Sequence, residues 1–475
     1  MRLPVGNGAD SRGVSRFEPA RAAFRLAGAG RPLAAPARVA AGLRTEGSVK
    51  ADLIFYNGEV LAMDGDGPFA EAAPRDAVAV KDGAVVFPDG GGWKGLCGSS
   101  TEAVDLKGSA VIPGLVDSHL HPLWGARTLS GFSLGYEPST VEKTLERVRG
   151  FLAADAGAGP DDLMTVLCWE RHGGPDLTAA DLEGLGTQRP VMLFSGDCHT
   201  AVVNRRAMFI YREFFEGPDP PDGRILLGPS GPTGAVEDGQ AFRLYDAASR
   251  QELRRSAETL RKGLRALNRQ GVTSVLDARA TPESMEAAVL LWEHDDLTVR
   301  YSGAWELPPQ GQLSGLAAAA AVSDACKRLA RYRRGAAFPA SGAEGGEGAR
   351  WRSRPGISMR HLKLFVDGMP GNGTARLRSP YLASRDADGG TTAAPPGDGL
   401  GLEYFDAPTL KGIFKACAEN GLHPHCHVIA DGALDAVLEA AADLRQSFPE
   451  LDCRPAAAHL DLVSRDQYAR MRELG

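Results

Sequence analysis

The chain has 475 residues, 43% of them hydrophobic and 24% charged, the proportions of an ordinary globular protein. That length exceeds one average domain and suits a large domain with a smaller companion. A formal net charge of −7 argues against a nucleic-acid partner, and no apolar run reaches the ~20 residues that span a bilayer.

Seven cysteines (Cys97, Cys168, Cys198, Cys326, Cys417, Cys426 and Cys453) are scattered, odd in number and never in a CxxC pair. This excludes a disulfide framework and a thiolate zinc knuckle, and implies a reducing compartment. Residues 1–48 carry eight arginines against Asp10, Glu18 and Glu46, amid Ala, Gly and Pro. Such Arg-rich, acid-poor starts resemble organelle transit peptides; a disordered tail or a misassigned start of translation has the same composition. Localisation therefore stays open between cytoplasm and organelle.

From Ala51 the pattern is β-rich. ADLIFYNGEVLAMD reads as a hairpin turning at Asn57-Gly58, and DAVAVKDGAVVF as a second turning at Asp82-Gly83. With a third strand at 102–108 they form a small antiparallel unit, giving a β-domain over 50–114. VIPGLVDSHLHP (111–122) is an apolar run ending in polar residues, as in a buried parallel strand. A region over 130–255 mixes helices with strand-like pieces. In it Ser139 caps a helix with Glu142 three residues on, and PVMLFSGD (190–197) is a strand.

Alternation follows. A helix starting near Ser249 stops at Gly271; the strand VTSVLDA, a helix over 282–293 and the strand TVRYSGAW come next. Then come the strand MRHLKLFVDG (359–368), a helix near 407–420, the strand GLHPHCHV, a helix over 432–446, the strand RPAAAHLDLV, and a last helix opened by Ser464 with Gln467. Alternating strands and helices imply an α/β protein with a parallel sheet, as a barrel or a doubly wound sheet. Residues 333–357 lack periodicity and read as a disordered surface insertion.

Four of the ten histidines fall at ends of predicted strands. His119 and His121 are two apart and face one way on a strand, where two imidazoles can hold a divalent ion at ~2.1 Å each. His427 ends the next-to-last strand and His459 the final one. In a (β/α)-barrel the carboxyl ends of different strands converge on one face. His423 and His425 share a face with His427 but lie deeper, so His425 reads as a packed core histidine.

VIPGLVDSHLHP, SGDCHTAVVN (195–204), GPTGAVED (231–238), GVTSVLDA (271–278), HLKLFVDG (361–368), HVIADGAL (427–434) and HLDLVSRDQY (459–468) stand in the order seen in the amidohydrolase superfamily. The chain most resembles its amidohydrolase-3 branch, which includes N-substituted formamide deformylase-like proteins. The resemblance implies a (β/α)8 barrel of amidohydrolase type over 115–475, carrying one or two divalent ions, usually Zn2+. It also implies hydrolysis of a carbon–nitrogen bond other than a peptide bond in a small-molecule substrate. On it, His119 and His121 match first-strand metal ligands, and Lys363 the strand-four lysine that is carboxylated and bridges two metals. His427 and His459 match the ligands of strands five and six. His199 matches a catalytic histidine near the substrate carbonyl; a surface hydrogen-bonding histidine is the plainer reading of it.

Two departures stand out. Strands seven and eight and the late general-base aspartate do not occur before Gly475, so the expectation is a fragment or incomplete gene model with an incomplete barrel. The family's HAIGD reads HVIAD here, with Ala430 in place of glycine and Asp431 kept. Rival readings are a non-catalytic relic binding metal or ligand in the same cleft, and a zinc deaminase or lactonase on the same scaffold. An unmodified Lys363 ion-paired with Asp277 or Asp367 is the alternative to the carbamate.

Overall fold

The computed structural model describes residues 50–63, 75–88, 92–170, 177–309, 314–335, 355–382 and 398–474. The chain divides into two units, Met1–Leu43 and Arg44–Gly475; everything below concerns the second. The readings of 1–48 and of most of the 333–357 insertion lie outside the described residues.

The first strands are β1 (Leu53–Val60), β2 (Arg75–Lys81), β3 (Ala84–Val86), β4 (Glu102–Asp105) and β5 (Ala110–Val111). They form one sheet in the order β3-β2-β1-β4, with β5 also on β1. The Asp82-Gly83 hairpin is present, with both residues at positive φ (50° and 79°) between paired Lys81 and Ala84. The hairpin expected at Asn57-Gly58 is not. β1 runs straight through these residues, and its register with β2 slips between Tyr56 and Val60. Asn57 takes φ 56° there and its amide donates to the Asp105 carboxylate at 2.7 Å: an Asn-Gly pair serves a bulge as readily as a turn. β4 and β5 run parallel to β1, so the unit is a mixed sheet and not an antiparallel one.

Next come β6 (Leu115–Leu120), α1 (Pro122–Ser130), β7 (Phe132–Ser133), α2 (Val141–Ala154), β8 (Met164–Trp169), α3 (Ala179–Glu183), β9 (Val191–Ser195), β10 (Thr200–Val203), α4 (Arg205–Ile210), β11 (Gly223–Gly228), β12 (Gly231–Asp238) and α5 (Gly239–Ser249). Six of these strands build a sheet of their own, in the order β11-β12-β10-β9-β8-β7. This organisation went unread in the sequence beyond PVMLFSGD, because short strands between short helices carry little periodicity. The cap of α2 is Thr140, which accepts from the Lys143 amide, and not the neighbouring Ser139.

The remaining elements are α6 (Leu253–Arg269), β13 (Val272–Ala280), α7 (Pro282–Glu293), β14 (Arg300–Glu306), α8 (Gly315–Ala330), β15 (Ile357–Phe365), α9 (Ala407–Glu419), β16 (His423–Ala430), α10 (Asp431–Ser447), β17 (Ala456–Leu462) and α11 (Arg465–Leu474). Here the expected alternation holds, with one helix added that was not read from the sequence, α8 between β14 and β15. Gly271, at φ 85°, ends α6, because a left-handed residue cannot continue the helix. Thr281 caps α7 with Pro282 as its first residue. These strands and β6 make a six-stranded parallel sheet, β17-β16-β15-β14-β13-β6, curled into a nearly closed barrel. Leu362, Leu364 and Val366 are fully buried in the main core with Ile413, Phe414, Val428 and Leu434 of the neighbouring strand and helices, each burial contributing ~1.5–3 kcal/mol.

The loop after β15 is tied to β16 by one carboxylate. Asp367, fully buried, accepts the amides of Ile429 at 2.9 Å, Ala430 at 3.0 Å and Arg376 at 3.1 Å. An asparagine offers one acceptor oxygen where two are used and would set an NH2 group against a buried N–H. Asp367→Asn is expected to destabilise the protein by about 1–3 kcal/mol, read as a lower urea midpoint. An unchanged midpoint would show that water satisfies these amides instead.

Candidate metal and catalytic site

Strand geometry gathers the candidate residues. His119, Lys363, His427 and His459 each lie within three residues of the carboxyl end of their strand, and His121 is the N-cap of α1. Pro122, first residue of that helix, has no N–H to continue a strand ladder, which fixes where strand gives way to helix. On β15 and β16, His361, Lys363 and Phe365 lie opposite His423, His425 and His427 in parallel register. Alternation sends both triplets to the same side of the sheet.

β6 and β17 are opposite ends of the sheet order, yet the rings of His119 and His459 stand 4.9 Å apart, centroid to centroid. The sheet thus curls far enough for its first and last strands to meet through their histidines. His427 lies 4.5 Å from His459 and His121 lies 5.7 Å from His119. His427 and His459 do not end their strands as expected: β16 runs on to Ala430 and β17 to Leu462. His459 instead sits in a bulge, with φ 83°, where the ladder to β16 slips between Val428 and Ala430.

His425 corrects another expectation. It is buried, but its Nε2 lies 2.8 Å from Nδ1 of His119, so it belongs to the cluster as a polar partner and not as inert filling. The period-2 spacing of HPHCH carried that signal. Lys363 is 1% exposed, and its ammonium rests 4.4 Å above the Phe365 ring. The alternative pairing with Asp277 or Asp367 is not realised. Asp277 accepts from Ser284 and Tyr301, each at 2.8 Å, while Asp367 is occupied by its three amides.

His199 meets the same cluster from the inserted sheet. Its ring lies 5.2 Å from that of His427, and its Nδ1 is 2.8 Å from Oδ1 of Asp238. Sequence reading missed Asp238 as a site residue, because its relation to His199 depends on the register of two strands 39 positions apart.

Burial governs the electrostatics. Desolvation lowers His119 to about 3, His425 to about 2 and His459 to about 4, with the Lys363 charge adding to each. His121 and His427 are held well below the usual imidazole range, chiefly by burial. Burial also brings Lys363 down to about 7. These rings are neutral at pH 7 with lone pairs available, which is the state a metal requires. His121 Nδ1 and His427 Nε2 are buried without a hydrogen-bond partner, and orphaned buried nitrogens of this kind fit a donor set for a cation. Among the described residues, no three His, Cys, Asp or Glu side chains are grouped as an ion would need them; His119 is turned toward His425. The donor chemistry fits a cation.

The amidohydrolase family profile matches residues 102–475, and the chain belongs to the amidohydrolase family. It is 23% identical over 409 residues to the exoenzymes regulatory protein AepA of Pectobacterium carotovorum subsp. carotovorum, covering 84% of this chain and 78% of that protein. It is 24% identical over 246 residues to the N-substituted formamide deformylase of Arthrobacter pascens, covering 50% of this chain and 44% of that enzyme. A crystal structure of an uncharacterized metal-dependent hydrolase from Pyrococcus horikoshii OT3 superposes with TM-score 0.56 at 19% identity, over 89% of this chain and 73% of that one. The likeness establishes the shared barrel fold. No helix among the described residues is long and apolar enough to cross a membrane.

The lowered imidazoles have a thermodynamic consequence. In the unfolded chain they take up protons below about pH 6.5, whereas in the fold they resist them. The unfolded state binds more protons, so the stability of metal-free protein falls as pH drops from about 6.5 toward 4, by ~1.4 kcal/mol per pH unit for each such proton. His425→Gln is expected to remove about one proton from that slope, measured by urea midpoints at several pH values. A slope untouched by the substitution would mean that the His119–His425 pair does not govern it.

Proposed function

We propose that this protein is a metal-dependent hydrolase cleaving a carbon–nitrogen bond in a non-peptide amide or N-substituted formamide. The observation that carries the reading is the meeting of imidazoles from both ends of a curled parallel sheet beside Lys363, which is buried and has no ion pair among the described residues. His119, His121, His427 and His459 would hold one or two divalent ions, with zinc the expected metal for an imidazole-rich set. A bound ion supplies Lewis acidity for water activation and carbonyl polarisation.

Lys363 is the residue on which a two-metal site turns. A buried ammonium without an ion pair is costly, and its neutral amine can add carbon dioxide, releasing a proton and leaving an anionic carbamate. That carbamate would bring negative charge to a site otherwise made of neutral donors. The apolar wall of Phe365 and Phe242 excludes water around His199, which would contact the substrate from the inserted sheet. In the same reading a small β-domain over 50–114 precedes the barrel, and the region 130–255 and the loop after Asp367 would shape the substrate pocket.

The full chain, purified without added chelator, is expected to carry one to two equivalents of divalent ion by elemental analysis. His119→Ala should lose metal while keeping its melting transition, since the ligand lies at the rim. Folded protein without metal would count decisively against the site.

Lys363→Ala separates the carbamate from a plain packing role. It is expected to lose bound metal and activity toward a panel of amides and formamides, with short carboxylic acids restoring part of both. Full metal content in Lys363→Ala would remove the two-metal assignment.

A further inference from the structure

Asp238 has φ 54° and ψ −129°, a backbone conformation rarely taken by residues other than glycine, at a cost of about 1–3 kcal/mol. It closes β12, whose antiparallel register with β10 pairs Thr200 with Glu237 and so sets Asp238 across from His199. The backbone seals that pairing: the Asp238 amide donates to the His199 carbonyl at 2.8 Å, and the Gly239 amide to the Asp222 carbonyl at 2.7 Å. The Asp238 carboxylate is 1% exposed. Its Oδ1 takes the His199 Nδ1 contact at 2.8 Å and a longer one from the Asn372 amide at 3.4 Å. Asn372 also donates to the His199 carbonyl at 3.3 Å, so the loop after β15 clamps both members.

The rest of the His199 ring is walled by Phe242 at 5.0 Å, Phe365 at 6.1 Å and His427 at 5.2 Å. An ionised carboxylate can only accept hydrogen bonds, so its partner nitrogen, Nδ1, carries the hydrogen. In a neutral ring Nε2, on the edge away from Asp238, is then left with a lone pair. A strained aspartate that orients a histidine beside a candidate metal cluster is the kind of outlier from which a functional role is argued.

We propose that Asp238 is a positioning residue of the reaction, fixing His199 as the Nδ1–H tautomer and holding its ring against His427. The consequence is specific. His199 presents a lone pair and not an N–H, so its complement is a donor, such as the N–H of a secondary amide or the O–H of a water, and not the carbonyl oxygen. The consequence for catalysis rests on the hydrolase reading above; the tautomer does not.

The test uses the full chain labelled with 15N-histidine, with the His199 signals identified by their loss in His199→Gln. The wild-type ring is expected to show a protonated Nδ1 and a bare Nε2, and Asp238→Asn or Asp238→Gly to shift that distribution. Glycine also removes the backbone strain, so Asp238→Gly should keep or raise the melting temperature while kcat falls about 10²–10⁴-fold and KM stays within about threefold. The double variant with His199→Gln should be no slower than His199→Gln alone, because a residue acting through another adds nothing once that partner is gone. A wild-type Nε2–H tautomer, or losses that multiply in the double variant, would overturn the proposal. If no amide is hydrolysed by any form, the hydrolase reading fails while the 15N signals still decide the tautomer.

Discussion

Closure of the parallel sheet is the constraint on which the rest depends. A flat six-stranded sheet would leave its outermost strands some 20 Å or more apart at the usual inter-strand spacing of about 4.8 Å. Instead the rings of His119 and His459, on those two strands, are in contact. The curl brings imidazoles from three strands and one helix cap into one volume, burying His425 and His427 and partly burying His119 and His121. Desolvation then keeps them uncharged, which allows so many basic side chains to share the space. It also lowers Lys363, whose charge would otherwise repel any cation placed among them.

The inserted sheet supplies what the barrel strands do not. Its β10–β12 ladder aligns His199 with Asp238, and its aromatic neighbours Phe194, Phe242 and Tyr245 pack with Trp124 of α1. Arg279, at the end of β13, lies over both Trp124 and Phe242 and pairs with Asp246 and Glu306. A buried guanidinium needs such partners to repay its desolvation. This set of contacts locks the inserted sheet against the barrel strands, so that the two halves of the candidate site hold a fixed geometry.

Much of the fold could be read from periodicity and punctuation. The alternation from α6 to α11, apart from α8, was visible because its helices carry an apolar stripe and its strands an apolar run bounded by Gly, Pro or a capping residue; the Ala-rich α8 (Gly315–Ala330) went unread. On β15, Leu362, Leu364 and Val366 are apolar at alternate positions, a pattern that assigns them the helix-facing side and Lys363 the inner one. The Asn57-Gly58 hairpin failed for the opposite reason. The local signal is real, but β1 has partners on both sides, and pairing along its whole length outweighs a turn.

The sequence by itself determined the candidate side chains and near which strand ends they fall, since residue type, alternation and motif order are local properties. Only the tertiary structure decided which of them touch. The His119–His425 contact joins positions 306 residues apart, the His199–Asp238 pair depends on one ladder register, and the bulge at His459 turns its ring toward the cluster. The burial of His425 and His427 likewise exists only once the sheet has curled, because desolvation is a property of the packed volume and not of any segment of the chain.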